Sequence, residues 1–181
     1  MRLRASGLLI AAALLLSAGA AQAAGLRMFS YDASDAPTRR VAGGLTFEFR
    51  QTLMTTRVLR VDATGGDASA PLREAQDHDL GTSLSALIGE TAAERDLYEV
   101  LPQDQGADMI RAFCPGSSRA WLAMGRMRSN LPLRVHVLGS TDTGPAHVCA
   151  TLNFDFHGEW RGLRPREAVR QNEIRTPHFP Y

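Results

Sequence analysis

Two runs in the C-terminal half constrain this chain more than any other feature. Residues 133–138 (LRVHVL) and 146–156 (AHVCATLNFDF) alternate apolar and polar side chains across a link containing Ser140, Asp142 and Gly144. Successive side chains of a strand point to opposite faces, so the pattern predicts two antiparallel strands sharing one buried face. The polar link supplies the turn. Leu133, Val135 and Val137 line the apolar face with Val148, Ala150, Leu152, Phe154 and Phe156. Arg134 and His136 share the other face with His147, Cys149, Thr151, Asn153, Asp155 and His157. A turn at Asp142 and Thr143 sets His136 opposite Cys149 and keeps the apolar faces together.

The rest of the chain reads as further short strands around few helices. Residues 26–31 form a strand, and Ser34 or Asp35 caps a helix with Pro37 in its first turn. Leu45, Phe47 and Phe49 alternate with polar residues, and 56–64 pairs with that run as a hairpin. Residues 65–81, rich in Gly, Asp and Ala, read as a surface loop. One helical turn is expected over 84–88 and a strand over 97–101. A helix over 104–113 then presents Ala107, Ile110, Phe113 and Cys114 on one face and stops at Pro115-Gly116. Residues 119–127 (RAWLAMGRM) carry helix-favouring residues, but Gly125 and the following strand favour a meander strand. The fold class expected is α+β: an antiparallel sheet of six or seven strands with one main helix packed on it.

The N-terminus sets the expected compartment. A basic head with Arg2 and Arg4, an apolar run over 8–16 and the small-x-small site at Ala21-Gln22-Ala23 make a secretory signal peptide. Its apolar run is shorter than the roughly 20 residues that span a bilayer. The remainder reads as a single domain over 24–160, with a C-terminal arm over 161–181 that holds a short helix at 165–173. The expected location is periplasmic or secreted, with no membrane span in the mature chain. With 20 basic and 19 acidic residues, the chain lacks the charge excess of a nucleic-acid binder. The expected partner is an envelope component or another exported protein.

Several groups are candidates for chemistry. Cys114 and Cys149 are the two cysteines of the chain. In an oxidising compartment they are expected to pair. The competing reading makes Cys114 a nucleophile with His136 or His147 as its base, and Asn153 or Asp155 as the orienting group. Cys114 followed by Arg119 misses the spacing of a phosphatase loop by one residue. A second site would join His136, Asp155 and His157 as an acid–base or metal-binding group, though an alternating strand has such a polar face without any site. Asp77-His78-Asp79 reads as a solvated turn. Arg126, Arg128 and Arg134 fall near one end of the meander, where guanidiniums can hold an anionic polymer or a carboxylate. Trp121 and Trp160, with Tyr98 and Phe156, are candidates for an aromatic ligand platform. No motif implies a cofactor or a resident metal. The leading expectation is a non-catalytic exported binding domain, and the alternative is a small exported hydrolase.

Overall fold

A computed structural model describes residues 25–52, 55–142 and 144–161. The expected signal peptide lies outside these residues, as do the expected 165–173 helix and the arm beyond Arg161. The chain closes an eight-stranded antiparallel barrel in which every strand pairs with its sequence neighbour and the last pairs with the first. The strands are β1 (Gly25–Ala33), β2 (Gly44–Gln51), β3 (Thr56–Ala63), β4 (Ala68–Glu74), β5 (Asp96–Val100), β6 (Arg119–Met124), β7 (Leu133–Ser140) and β8 (His147–Arg161). Four short helices sit in the links: α1 (Ala36–Val41), α2 (Asp77–Leu80), α3 (Leu84–Ile88) and α4 (Gly106–Phe113).

This architecture corrects the expected α+β sheet. Seven of the eight strands fall where the sequence places them. The eighth, β4, lies inside the stretch read as a surface loop. Its sequence, ASAPLRE, is small and interrupted by Pro71, so it lacks the bulky alternation that marks a strand. Its small residues have a packing role. Ala70 is fully buried, and α4 lies against it, with Gly106 so close that an added Cβ would strike the Leu101 carbonyl. The long β8 closes the barrel. One part of it pairs with β7 from Leu133 to Gly139, and the other pairs with β1 from Arg27 to Ala33. Closure removes the free edges that an open sheet of six or seven strands would expose.

An eight-stranded barrel leaves an interior that side chains can fill. Here Phe29, Tyr31, Phe47, Phe49, Phe154 and Leu122 are among those that fill it, all buried. Edge-to-face contacts join Phe29 to Phe49 and Phe156, with ring centroids 4.7 and 5.5 Å apart. Met109, Ile110 and Phe113 of α4 pack onto the same core. A second, smaller core lies outside the barrel wall. Leu80 of α2 and Leu84 of α3 cover Leu97, Trp121, Ala123 and Leu138, which point outward from β5, β6 and β7.

The sequence register of the β7–β8 hairpin is also corrected. His136 lies opposite Thr151, and a bulge between Val137 and Leu138 leaves Cys149 as the extra residue. Beyond the bulge the alternation inverts. Val148, assigned to the buried face, is 40% exposed, while Cys149 packs against the core.

Candidate functional site

The outer face of a barrel is convex, so side chains that look aligned along a strand spread apart around it. The polar residues of β7 and β8 therefore separate into five settings.

Asn153 is taken up by α1. Asp35 caps that helix by accepting from the Thr38 amide at 2.7 Å, and its other oxygen accepts from the Asn153 side-chain amide at 2.9 Å. The Asn153 backbone N–H donates to the buried Thr38 hydroxyl at 2.9 Å. These bonds hold the Asp35 carboxyl below the usual carboxylate range, the Thr38 amide contributing most.

His157 pairs with Asp32 of β1, Nδ1 to Oδ2 at 2.7 Å, and stacks on Trp160 with ring centroids 5.8 Å apart. Trp160 is 46% exposed and folds back over Gly158. Trp121 is fully buried in the outer core. The two tryptophans therefore belong to separate environments.

His136 faces Glu94, Nε2 to Oε2 at 3.6 Å, with Thr151 Oγ1 3.1 Å from Nδ1. Glu94 is a buried carboxylate on the link between α3 and β5. Burial lowers the His136 pKa, and the nearby Arg134 charge lowers it further; Glu94 pulls the other way without prevailing. Among the described residues no hydrogen bond or ion pair joins His136, Asp155 and His157 to one another.

Cys114 and Cys149 form a disulfide, with Cα atoms 5.3 Å apart. Cys114 caps the C-terminus of α4, and Cys149 sits in the β8 bulge. His147 Nε2 lies 4.0 Å from Cys114 Sγ, and Ser117 Oγ lies 3.1 Å from it. The Cys–His proximity that a cysteine hydrolase requires is present. With its sulfur in the bridge, Cys114 has no thiolate to offer. Asp77, His78 and Asp79 form the start of α2, where Asp79 accepts from the Gln76 amide at 2.9 Å.

Asp155 and Arg134 open onto a different feature. The link between β6 and β7 carries Arg126 and Arg128, and β7 begins with Leu133 and Arg134. These residues, with Glu94, Asn153 and Asp155, line a cleft of about 470 Å³. Leu131, 48% exposed, and Pro132 form its apolar rim. A larger cleft of about 720 Å³ adjoins it through Gly125 and Arg126. It is lined at its floor by Val58, Tyr98 and Met124, which belong to the barrel core, and at its rim by Arg95, Asp96 and Glu74. Burial, with the charges of Asp96 and Glu74, pushes the Tyr98 hydroxyl up to about 12.

The guanidiniums of the smaller cleft are unspent. Arg27, Arg60, Arg73, Arg111 and Arg119 each hold a carboxylate. Arg126 and Arg128 make no hydrogen bond or ion pair among the described residues, and Arg134 makes one long bond of 3.4 Å to Asn153. Neither Glu94 nor Asp155 lies within ion-pair distance of any of the three. Sequence reasoning found these arginines but missed Glu94, Arg95 and the two clefts. Glu94 stands in an irregular link where no periodicity marks it. Comparison with known proteins finds no matching family model, no similar curated protein and no similar solved structure.

Proposed function

We propose that this chain is a non-catalytic, exported binding protein, and that its ligand is an anion held in the cleft between the β6–β7 link and β8. The observation that supports this reading most is that Arg126, Arg128 and Arg134 border one cleft with Glu94 and Asp155 and yet form no ion pair with either carboxylate. A planar guanidinium donates two parallel hydrogen bonds to a carboxylate or phosphate, and these charge-assisted bonds are about twice as strong as neutral ones. The apolar rim of Leu131 and Pro132 suits a ligand that carries carbon framework beside its charges. The adjoining larger cleft gives room for an extended ligand, such as a segment of an anionic envelope polymer.

Calorimetry with citrate, inorganic phosphate and a short oligoglutamate tests this. Multivalent carboxylates are expected to bind, and the triple variant R126Q/R128Q/R134Q to lose at least about tenfold in affinity, or ~1.4 kcal/mol. Binding that survives the triple variant, or no binding by any of the three probes, contradicts the anion reading. Export is tested separately. Expression of the whole chain in a Gram-negative host is expected to yield periplasmic protein lacking the first 23 residues; uncleaved protein retained in the cytoplasm contradicts it.

A further inference from the structure

The surroundings of the Cys114–Cys149 bridge contain more than a cross-link needs. Cys114 Sγ, Cys149 Sγ and a ring nitrogen of His147 all lie within 4.8 Å of one another. Two thiolates and an imidazole are a donor set for a thiophilic d10 cation such as Zn²⁺. The backbone opens space for that cluster. Gly139 of β7 pairs directly with His147, and a Cβ built on it would collide with Cys114 Sγ and Ser117 Oγ and lie 2.9 Å from Cys149 Sγ. The Ser117 hydroxyl, 3.1 Å from Cys114 Sγ, is placed to donate to a thiolate there, as groups behind a metal ligand commonly do. His147 is exposed, so the fourth position of a tetrahedral centre would face solvent.

We propose that reduction of the bridge converts this cluster into a metal site made of Cys114, Cys149 and His147. The chain thus has two exclusive states, a disulfide and a Cys2His centre. An external dithiol supplies the two electrons and two protons that turn the bridge into two thiols, and is itself oxidised to a disulfide. On binding, each thiol releases its proton to water and gives a sulfur lone pair to the cation. Neutral His147 gives a nitrogen lone pair. The dipositive ion and two thiolates leave the centre uncharged. The sulfur atoms separate to about 3.8 Å, as two metal–sulfur bonds of ~2.3 Å at a tetrahedral angle require.

The full-length protein, reduced anaerobically with a phosphine and then freed of it, is titrated with Co²⁺. The expected result is one equivalent bound, with thiolate-to-cobalt charge transfer in the near ultraviolet and tetrahedral d–d bands in the red. Zn²⁺ should abolish both, and the oxidised protein should show neither. H147A is expected to lose at least about tenfold in Co²⁺ affinity with an altered d–d envelope, while H136A leaves both unchanged. No thiolate bands in the reduced protein, or identical titrations for H147A and the parent chain, would overturn the proposal. Near-ultraviolet circular dichroism guards against unfolding on reduction. A tertiary signal that is kept, or is lost and then restored by Zn²⁺, supports the site; one lost and not restored overturns it.

Discussion

At the scale of single residues, the informative positions are those where a polar atom meets the barrel core. Tyr31 is buried among aromatic rings, and its hydroxyl has no hydrogen-bond partner among the described residues. Burial pushes its pKa up to about 12. Y31F is therefore expected to be stabilising by about 1 kcal/mol, since it removes an unsatisfied group without leaving a cavity. A urea midpoint lower than that of the parent chain would show that the hydroxyl has a partner. Tyr31 and Tyr98 are both neutral in the fold above the ordinary tyrosine value of about 10. Their contribution to stability is full below that value and is lost as the pH rises from about 10 to about 12. His136 has the opposite sense. Its folded pKa is lowered, so the unfolded chain binds the proton more readily. Its contribution is complete above the ordinary value of about 6.5 and declines as the pH falls below it. Urea midpoints measured from about pH 7.5 to about pH 5.5 should fall for the parent chain and fall less for H136Q. An equal or steeper decline in H136Q would show that His136 is not held neutral by the fold.

At the scale of elements, Thr38 and Gly139 fix how links meet the wall. Thr38 is fully buried and accepts the Asn153 amide, joining α1 to β8. T38V keeps the shape but leaves that amide without its acceptor, so a loss of about 1–3 kcal/mol is expected in chemical denaturation. G139A forces a methyl group into the sulfur cluster and is expected to cost about 1–3 kcal/mol by overpacking. Parent-like stability in either variant would remove the corresponding packing argument. The disulfide spans 35 residues of sequence, and a loop of that size is stabilised by roughly 3–4 kcal/mol in the chain-entropy model. Most of these elements were legible. Alternation located β7 and β8, the Ser34–Pro37 signal located α1, and Pro115-Gly116 marked the end of α4. β4 was not legible, because Ala68, Ala70 and Pro71 carry none of the bulk by which a strand is recognised. The bulge at Cys149 was equally silent, since nothing in the string HVCATL shows where the alternation inverts.

At the scale of the whole molecule, closure changes what the strands can do. An open sheet would have set His136, Asp155 and His157 side by side on one face. In the barrel His136 turns to Glu94 and His157 to Asp32, while Asp155 lines the arginine cleft on which Glu94 also borders, and no hydrogen bond or ion pair among the described residues joins the three. Closure depends on β8 reaching both β7 and β1, a fact of length and register that composition does not contain. The arginine cleft was half legible. Arg126, Arg128 and Arg134 are near one another in sequence, but the concavity they share is made by the turn of the β6–β7 link against β8 and residue Glu94. The disulfide was legible from two cysteines and the expected export. The imidazole beside it was legible as one of the two bases, His136 or His147, named for Cys114, with nothing in the sequence to choose between them.

The most direct test of the binding account is a nuclear magnetic resonance titration that follows the arginine Nε–Hε signals as citrate is added. The molecule supplies its own controls, because Arg39, Arg40, Arg50 and Arg57 are exposed and hold no carboxylate among the described residues. The account predicts saturable shifts concentrated at Arg126, Arg128 and Arg134 and at the backbone amides flanking them. Shifts spread evenly over all exposed arginines, rising without saturation, would mean ordinary charge screening and would contradict a binding site in the cleft.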